Sequence, residues 1–578
     1  MKQYDYKEEY QKWLDSPALS EEEWKELNSL DENEKKERFY APLEFGTAGL
    51  RGTMKLGLHN MNIHVIRHAT QSFADVIISQ GQEAMEKGIA IAHDCRLNGR
   101  TFAEEAACVM AANGIHVRLF DSLRPTPELS FAVIHYGCTA GLNITASHNP
   151  KEYNGYKVYW SDGAQLPPDK ASEIASRMEI NDVFTCYKTC DFNEAVKLNK
   201  IEILGNETDE LFMEKVLSMA IDKKAVEQVA DELKIVYTPF HGCGYKLVPE
   251  VLKRLGIKHL YPVEQQMVID GNFPTVESPN PENPEGFYLA VDLAKSIDSD
   301  LIIGTDPDSD RIGVMVRCGN DEYKVITGNQ LGVLLLDYII NAKISTGTLD
   351  DNAGTVCSIV STSMARVIAE NNGVHFEDTF TGFKFMAERI AEWENAGTYK
   401  YIFAFEESYG YMMGDYVRDK DAVTASMMVA EMAAHYRAQG MTLLDALNSL
   451  YDKYGYFKEC TLNLVMPGLD GLEKMNSIMN RLRTEQLKSI SGTDVICIRD
   501  YLDGTKYVSG LGQVGNMPMS GSNVMYYELA DDTAFIVRPS GTEPKIKIYI
   551  LSRGKDFTEC DDKISKYSDF ANSLKDED

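Results

Sequence analysis

Long apolar runs are absent from this sequence of 578 residues. None approaches the ~18–20 residues that a helix needs to span a bilayer, so a membrane protein is not expected. The first residues, MKQYDYKEEYQKW, contain no apolar core of the kind found in a secretory signal peptide. We therefore expect a cytoplasmic protein.

Paired cysteines and common nucleotide motifs are also missing. The eleven cysteines are scattered and include no C-x-x-C pair, which argues against a disulfide framework and a zinc site. Neither G-x-x-x-x-G-K-S/T nor G-x-S-x-G occurs, so the motifs typical of P-loop nucleotide hydrolases and of α/β-hydrolases are absent and neither class is expected. GLGQVG (510–515) matches G-x-G-x-x-G, but polar NMPMSGS follows it where a dinucleotide site requires a helix.

Positive charge is scarce, since 58 Lys and Arg face 88 Asp and Glu, for a formal net charge of −30. Such a surface repels nucleic-acid phosphates and anionic lipid, so neither is an expected partner. It repels phosphorylated metabolites as well. An anionic substrate would therefore need a cleft in which arginine, lysine or a metal ion is concentrated.

The chain is long enough for several domains at ~100–200 residues each. Short apolar runs alternate with amphipathic segments up to residue 405, which predicts consecutive α/β domains with largely parallel sheets. The predicted strands include 88–94, 115–120, 233–238, 258–263, 301–305, 355–360 and 401–405; the predicted helices include 101–113, 246–255, 284–297 and one starting at 362. Beyond about residue 455 the pattern changes to an α+β domain with an antiparallel sheet, and helices over 421–452 are expected to bridge into it.

These patterns divide the chain into five parts. Ser20 and Glu23 form a predicted capping box in the first part, and Trp24, Leu27 and Leu30 form one apolar stripe there. The predicted parts are a helical extension (1–38), three α/β domains (39–205, 206–320 and 321–452) and the α+β domain (453–578).

The motif TASHNP places Ser147 in a turn that follows the apolar segment GLNI. Nucleophiles are often presented on loops at strand ends, so Ser147 is a candidate nucleophile. From these residues alone, an ordinary turn in which the serine bonds the backbone is an equally serious alternative. NGYK follows at once and brings Lys157 close enough to act as a charge partner or proton acceptor.

The motif GTDPDSDR places Asp306, Asp308 and Asp310 at alternate positions, followed by Arg311. Several carboxylates on one tight loop suit Mg²⁺, which prefers oxygen ligands. An EF-hand is excluded because its sixth loop position would be Arg311 instead of glycine. A solvated acidic turn is the weaker alternative, since three uncompensated carboxylates repel one another.

Two further motifs could bind a polar substrate. In FEESYG, Glu406 and Ser408 at a strand end could bind the hydroxyls of a sugar, although an acid-rich helix start explains them equally well. In RPSGTEPKIKIY, hydroxyl and backbone donors between two cations could form a phosphate cradle, with a glycine turn between strands as the alternative. The residues of this predicted cradle are Arg538, Ser540, Gly541, Thr542 and Lys547.

The joint order of FGTAGLRG, TASHNP, GTDPDSDR, FEESYG and RPSGTEPK resembles the α-D-phosphohexomutase family over roughly residues 40–560. RFYAPLEFGTAGLRG, with the helical extension before it, resembles the branch that contains longer bacterial phosphoglucomutases and phosphoglucomutase/phosphopentomutase enzymes. The resemblance implies a heart-shaped molecule in which three α/β/α three-layer domains and the C-terminal α+β domain surround a central cleft.

The resemblance also implies a reaction centre. Ser147 would be the phosphoserine, and its phosphate would hold Mg²⁺ together with Asp306, Asp308 and Asp310. Lys157 is our expected acceptor of the sugar hydroxyl's proton, with a pKa lowered by nearby cations. The residues that match the family's phosphoryl-transfer centre are Arg51, His148, Lys157 and Arg311.

Substrate contacts are implied by the same resemblance. Glu406 and Ser408 match the family's sugar loop, with Thr381 and Gly382 nearby and Lys384 as a second possible proton-transfer group. The cradle residues Arg538, Ser540, Gly541, Thr542 and Lys547 match the clamp for the phosphate that is not reacting.

The expected activity is the interconversion of glucose 1-phosphate and glucose 6-phosphate, with glucose 1,6-bisphosphate as intermediate and activator. Pentose phosphate and then mannose phosphate are the alternative substrates, and a monomer or weak homodimer is expected. A haloacid-dehalogenase-like phosphatase with Asp306 as nucleophile, and a sugar-phosphate sensor without catalysis, are remote alternatives.

The sequence departs from the family pattern at two places. Phe405 replaces the glycine that leads the sugar loop in many bacterial members, and Gly410-Tyr411 stand where a histidine would fall. This argues against proton transfer by a histidine of that loop and against the phosphomannomutase branch. The residues after Asp94 and Arg96 depart mildly from D-x-R-x-S, with no evident functional consequence.

Overall fold

The structure is a computed structural model that describes residues 4–47, 49–319, 322–466, 471–540 and 545–575. It contains four sheets, of six, five, four and eight strands. Across those ranges, no helix combines the length and apolar character needed to cross a membrane.

The N-terminal extension consists of three short helices that cover the first sheet domain: α1 (Tyr6–Leu14), α2 (Glu21–Asn28) and α3 (Glu32–Phe39). The predicted capping box of Ser20 and Glu23 is confirmed. Leu27 is buried as predicted, but Trp24 is 44% exposed, so its place in the apolar stripe was wrong. Trp13 of α1 takes the buried position instead, packed edge to face on Phe39 at 5.7 Å.

The first domain has a six-stranded sheet in the order β1-β5-β4-β2-β3-β6. Strands β2, β3, β4 and β6 are parallel, whereas β5 pairs antiparallel with β4 and β1. Its elements are β1 (Leu50–Thr53), α4 (Ile63–Ser79), α5 (Gln82–Lys87), β2 (Ile89–His93), α6 (Gly99–Ala112), β3 (Val117–Phe120), α7 (Thr126–His135), β4 (Ala140–Ile144), β5 (Tyr153–Trp160), α8 (Pro168–Ile180), α9 (Phe192–Lys197) and β6 (Ile201–Leu204).

The second domain has the sheet order β11-β10-β9-β7-β8. Its last strand pairs with β10, so this sheet continues past residue 320. Its elements are α10 (Asn206–Ser218), α11 (Lys223–Val229), β7 (Lys234–Thr238), α12 (Gly244–Leu255), β8 (His259–Pro262), α13 (Glu264–Met267), a 3₁₀ turn (Pro284–Phe287), α14 (Tyr288–Ile297), β9 (Leu301–Thr305), β10 (Ile312–Arg317) and β11 (Tyr323–Ile326).

The third domain has the sheet order β13-β12-β14-β15. Its helix α18 packs on α11 and α12 of the second domain, and one continuous apolar core runs through both domains. Helix α19 packs on β16 of the last domain. The elements are α15 (Gly328–Thr346), β12 (Ala353–Ser358), α16 (Met364–Asn371), β13 (His375–Thr379), α17 (Phe383–Ala396), β14 (Lys400–Glu406), β15 (Gly410–Met412), α18 (Ala422–Ala438) and α19 (Leu443–Tyr454).

The fourth domain is an antiparallel sheet in the order β16-β23-β22-β21-β18-β19-β20, with β17 beside β18 and two helices packed on it. Its elements are β16 (Tyr456–Val465), α20 (Gly471–Glu485), β17 (Ser489–Ile490), β18 (Thr493–Asp500), β19 (Thr505–Val508), β20 (Gly512–Asn516), β21 (Met525–Leu529), β22 (Ala534–Pro539), β23 (Lys545–Gly554) and α21 (Phe557–Ser573). The predicted fold class is therefore confirmed.

The three α/β domains repeat one sheet topology. In each, the first two strands of the repeat are parallel neighbours, namely β2 and β3, β7 and β8, and β12 and β13. The third parallel strand pairs with the first of them and is followed by an antiparallel neighbour: β4 by β5, β9 by β10 and β14 by β15. The loops between these strand pairs contain TASHNP, DPDSDR and ESY. The carboxyl end of a parallel strand is where α/β sheets usually present their ligand-binding residues.

Candidate active site

Ser147 lies in the loop between β4 and β5, with its backbone in the left-handed region at φ 51°. Its side-chain Oγ donates a hydrogen bond to Asp306 Oδ2 at 2.8 Å, and His148 Nδ1 is 3.2 Å away. The Ser147 amide donates to Thr145 Oγ1 at 2.9 Å. A non-glycine residue in this backbone region is held there by its surroundings, so the loop presents the hydroxyl in one fixed direction.

Asp306, Asp308 and Asp310 lie in the loop between β9 and β10, and one carboxylate oxygen from each lies within 4.8 Å of the others. All three are buried. Asp306 Oδ1 accepts hydrogen bonds from the amides of Asp310 and Arg311, both at 3.0 Å. Burial and the two neighbouring carboxylates raise the pKa of Asp306 well above its usual range.

This acidic loop fits a divalent cation. Asp308 Oδ1 and Asp310 Oδ1 are buried and have no hydrogen-bond partner among the described residues. Buried, unpartnered carboxylate oxygens are costly unless they are compensated, and hard oxygen donors are the ligands that Mg²⁺ prefers. The residues present therefore match the predicted metal site, with Ser147 Oγ beside Asp306.

Two buried lysines compensate the acidic loop. Lys157 Nζ on β5 lies 2.7 Å from Asp308 Oδ2 and 3.1 Å from Asp310 Oδ2. Lys420 Nζ lies 2.9 Å from Asp419 Oδ1 and 3.4 Å from Asp310 Oδ2. Burial alone would raise the pKa of Asp310, but Lys157, Lys420 and Arg311 outweigh it and lower that pKa.

The expectation of a lowered pKa at Lys157 was wrong. Burial acts in that direction, but the carboxylates of Asp308 and Asp310 outweigh it and raise the pKa of Lys157. Neighbouring cations lower the pKa of a lysine, but the fold also places the carboxylates of Asp308 and Asp310 against the Lys157 ammonium group, and these raise it. Lys157 is therefore a protonated group in this arrangement.

Two arginines line the cleft beside this centre. Arg51 on β1 is exposed and its Nη1 donates to Asn149 Oδ1 at 3.0 Å. Arg311 Nη1 donates to Glu282 Oε1 at 2.8 Å. Burial and the charges of Arg311 and Arg51 hold the pKa of His148 well below its usual value, so its imidazole is neutral near pH 7.

The sugar loop predicted from FEESYG lies next to the same centre. Glu406 is buried at the end of β14, its carboxylate accepts a hydrogen bond from the Gly382 amide, and its burial raises its pKa despite the nearby Lys420. Thr381 and Ser408 are half-buried beside it. Gly382 has φ 120°, a conformation that favours glycine at the start of α17.

Lys384, the second possible proton-transfer group, makes a hydrogen bond between two domains. Its Nζ donates to Thr47 Oγ1 at 2.8 Å, so it connects the third domain with the FGTAGLRG segment of the first. Burial lowers the pKa of Lys384.

The predicted phosphate cradle lies on two paired strands of the fourth domain. Arg538 on β22 and Lys547 on β23 are direct cross-strand partners, and the Ser540 amide donates to the Lys545 carbonyl at 2.8 Å. Burial and the charges of Lys545 and Arg538 lower the pKa of Lys547. Gly541 and Thr542 lie outside the described residues.

Three residues of this centre were missed by the sequence analysis: Lys420, Glu282 and Thr126. Thr126 Oγ1 donates to Asp308 Oδ2 at 2.8 Å, and its amide donates to the Asp308 carbonyl at 2.8 Å. These partners are 182 residues apart in the sequence. Lys420 lies in VRDKDA, between two aspartates that are buried in the structure. This lysine between two acids was the one signal in the sequence that could have pointed to a buried charge cluster.

Family models match three segments of the chain. Residues 42–183 match phosphoglucomutase/phosphomannomutase alpha/beta/alpha domain I, residues 210–319 match domain II and residues 327–454 match domain III. The matched segments contain the first three site loops in the order that the resemblance predicted.

Curated relatives extend the similarity to nearly the whole chain. A phosphoglucomutase of Staphylococcus aureus (strain N315) is 37% identical over 534 residues, which cover 92% of this chain and 93% of the relative. A phosphoglucomutase of Staphylococcus saprophyticus is 34% identical over 523 residues, 90% of this chain and 92% of the relative.

Solved structures share the fold. A phosphoglucomutase/phosphomannomutase family protein from Burkholderia thailandensis superposes with a TM-score of 0.65 at 18% identity and covers 92% of this chain and 97% of its own. The open form of pp63/parafusin, a phosphoglucomutase from Paramecium, gives 0.66 at 17% identity and covers 93% and 95%.

Proposed function

The chain belongs to the phosphoglucomutase/phosphomannomutase family, and from this premise we propose how its cleft interconverts glucose 1-phosphate and glucose 6-phosphate. The enzyme is a phosphoglucomutase, an isomerase that moves a phosphoryl group within one sugar. Family membership removes the alternatives of a haloacid-dehalogenase-like phosphatase and a sensor without catalysis. The observation that carries the proposed mechanism is the Ser147 hydroxyl, hydrogen-bonded at 2.8 Å to the buried acidic loop.

Ser147 is the proposed carrier of the phosphoryl group. In the first step the Ser147 Oγ–phosphorus bond breaks, a bond from phosphorus to a sugar hydroxyl oxygen forms, and the product is glucose 1,6-bisphosphate. The bisphosphate turns in the cleft, and its other phosphoryl group returns to Ser147 Oγ. Each turnover therefore leaves the serine as it was, and free glucose 1,6-bisphosphate acts as an activator because it phosphorylates an unloaded serine.

The acidic loop is the proposed Mg²⁺ site, held by Asp306, Asp308 and Asp310 with the phosphate on Ser147 as a further ligand. A bound Mg²⁺ supplies Lewis-acid stabilisation to the oxygens of the transferring group. The support is the pair of buried, unpartnered oxygens on Asp308 and Asp310. Thr126 fixes the Asp308 carboxylate by its hydrogen bond at 2.8 Å.

Cationic side chains neutralise the transferring phosphoryl group in this proposal. Arg51 is exposed to the cleft, and Arg311 is held by Glu282 on its far side. In a loose transition state the charge lies on the three equatorial phosphoryl oxygens, so positioned cations contribute more than a strong base. These arginines also explain how a protein of net charge −30 attracts a phosphosugar to one place.

Proton transfer is assigned to Lys157. Its raised pKa keeps it an ammonium group, which can donate a proton to the sugar oxygen from which phosphate departs. In the opposite direction the proton of the attacking sugar hydroxyl ends on the departing Ser147 Oγ, and Lys157, already an ammonium group, takes up that proton only as it gives its own away. Lys384, whose pKa is lowered by burial and whose Nζ donates to Thr47 Oγ1, stays a second possible proton-transfer group.

The sugar loop and the phosphate cradle form the proposed binding region for the sugar and its second phosphate. Glu406 and Ser408 contact the sugar hydroxyls, with Thr381 and Gly382 beside them. Arg538 and Lys547 face the same loop, since the charges of Glu406 and Glu407 act on them. The proposed clamp is Arg538, Ser540, Gly541, Thr542 and Lys547, the same residues for a phosphate from either end of the sugar.

Replacement of Ser147 tests the mechanism. Ser147→Ala is expected to abolish exchange between the two glucose phosphates and to remove the phosphate that glucose 1,6-bisphosphate leaves on the intact protein, measured by mass. Ser172→Ala on α8, whose hydroxyl bonds only its own helix, is the matched control and keeps both signals. Retained turnover in Ser147→Ala would refute the proposal.

Substrate choice is tested with initial rates for glucose 1-phosphate, mannose 1-phosphate and ribose 1-phosphate, each with Mg²⁺ and catalytic glucose 1,6-bisphosphate. We expect glucose 1-phosphate to react fastest. A ribose preference would contradict the assignment of Glu406 and Ser408 as a hexose-binding pair. Titration of Mg²⁺ by calorimetry, with Asp308→Asn as the variant that loses binding, tests the metal site independently of turnover.

A further inference from the structure

The guanidinium of Arg96 is bonded to the main chain of the Ser147 loop at four carbonyl groups. Nη2 donates to the Ser147 carbonyl at 2.6 Å and to the Asn149 carbonyl. Nη1 donates to the carbonyls of Pro150 and Tyr153 at 2.8 and 2.9 Å. The side chain is buried, and the residue as a whole is 3% exposed. One planar group thus fixes the loop from Ser147 to the start of β5.

Arg96 is itself held by Asp94, which closes a ring of bonds back to the serine. Asp94 Oδ1 accepts from the Arg96 amide at 2.9 Å, and Asp94 Oδ2 lies 3.3 Å from Arg96 Nε. Asp94 Oδ2 also accepts from Thr145 Oγ1 at 2.6 Å, and Thr145 Oγ1 accepts from the Ser147 amide. The carbonyl of Ser147 is therefore bonded to Arg96, and its amide is connected to Asp94 through Thr145.

An aromatic ring of the second domain, that of Phe273, packs on the Arg96 guanidinium. The ring of Phe273 lies 5.2 Å from the Arg96 guanidinium carbon, a distance typical of a cation–π contact. Gly271 allows this approach, because a Cβ there would lie 2.6 Å from the Leu97 amide nitrogen. The domain that supplies the acidic loop thus also covers the residue that fixes the serine loop.

We propose that Arg96 is a positioning residue for phosphoryl transfer. Its guanidinium is taken up by main-chain carbonyls, and it acts by fixing those of Ser147, Asn149, Pro150 and Tyr153 so that Ser147 Oγ stays beside the acidic loop with its backbone at φ 51°. The inference rests on the proposed role of Ser147 as phosphate carrier.

Geometry separates this role from plain structural stabilisation. A lysine can keep the charge beside Asp94, but its single nitrogen does not reproduce a planar fork that reaches four carbonyls. A displacement of about 1 Å at a reacting group lowers the rate by about 10²-fold. Because Arg96 acts on the position of Ser147 and not on substrate binding, its replacement should lower kcat and leave KM nearly unchanged.

The test compares Arg96→Lys and Arg96→Ala with the intact enzyme. We expect kcat to fall about 10²-fold while KM for glucose 1-phosphate changes by less than about 3-fold. Phosphorylation of the protein by glucose 1,6-bisphosphate, followed by intact mass, should slow by a similar factor. Guanidinium ion at millimolar concentration should restore at least about 10-fold to Arg96→Ala, and methylammonium should not, because only the planar ion matches the carbonyls.

Arg100→Lys is the matched control. Arg100 on α6 also donates from Nη1 to main-chain carbonyls, those of Phe120 and Asp121 at 2.8 and 3.1 Å, but far from the serine loop. It should keep kcat and show no guanidinium effect. If neither Arg96 variant folds, the same rates are measured for Phe273→Leu, which removes the ring that packs on Arg96. We then expect kcat to fall about 3-fold at unchanged KM.

Two results would overturn the inference. One is Arg96→Lys with kcat within about 3-fold of the intact enzyme, or, in the fallback, an unchanged kcat in Phe273→Leu. The other is a loss that follows the folded fraction of the variant and does not respond to guanidinium. An intact enzyme that never gains phosphate on Ser147 would instead refute the proposed function, so the two failures are distinguishable.

Discussion

Glu459 makes the seam between the third and fourth domains sensitive to pH. It lies on β16, and its carboxylate interacts with Thr362 and Asn329 of the third domain. Burial raises its pKa to about 7, although hydrogen bonds from Thr362 and Asn329 act in the opposite sense. Since the folded-state pKa exceeds the unfolded value of about 4.3, the stability that this group contributes is fully present below that value. It is lost as the pH rises through 7.

The size of the effect follows from the two pKa values. Between pH about 5.5 and about 8.5 the contribution of Glu459 falls by about 2 kcal/mol. Glu459→Gln keeps the shape and has no proton to lose, so the variant should gain about 2 kcal/mol over the intact protein across this interval.

Hydrogen exchange of the β16 amides measures the opening of this seam without requiring the whole chain to unfold in one step. The free energy of local opening should fall with rising pH in the intact protein and stay nearly constant in Glu459→Gln. Glu473→Gln, an exposed position on α20 of the same domain, is the control and should behave like the intact protein. Equal pH dependence in both proteins, within about 0.5 kcal/mol, would refute the assignment.

Three further predictions concern the acidic loop. Lys420→Met leaves Asp419 without its buried partner and should destabilise by about 3–5 kcal/mol in urea unfolding, whereas Lys400→Met, in an ion pair 66% exposed on the lysine side, should lose less than about 1 kcal/mol. Gly410→Ala should lower kcat, because the added Cβ would lie 2.3 Å from Lys420 Cδ and displace that side chain from the acidic loop; an unchanged kcat would contradict this packing. Thr126→Val removes a hydrogen bond to a carboxylate and should weaken Mg²⁺ binding about 10-fold by calorimetry, and unchanged binding would count against the role of Thr126.

Much of the fold could be predicted because the central parallel strands β2, β4, β9 and β12 are buried on both faces. LIIGT, predicted as a strand over 301–305, is β9 with the same bounds, and all five of its residues are buried. The antiparallel strands after each site loop were not predicted. β5 has Asn154 and Lys157 in its buried interior, paired with groups of other segments, so neither an apolar run nor alternation marks it. β15 has only three residues.

The site was predictable where its residues form compact motifs and not where the fold brings distant residues together. Ser147 and the three aspartates lie on two short loops whose composition indicates their chemistry. Lys420 reaches Asp310 across 110 positions of sequence and a domain boundary, and no local pattern reports such a contact. The same limit explains the pKa of Lys157, whose sign depends on carboxylates from another domain.

The repeated strand-pair topology has a consequence for how the enzyme comes into being on the ribosome. Each domain is built from consecutive residues, so each can fold soon after it is synthesised, from the N-terminus onward. The reaction centre is different, because Tyr159 meets Asp419 across 260 residues and Lys157 meets Asp308 across 151. A nascent chain therefore displays its serine loop, with no acidic partner for the hydroxyl, until the second domain has been made, and Lys420 and Asp419 follow only with the third. The reaction centre is therefore complete only after the third domain has been made, and we expect a chain that ends before it to have no mutase activity.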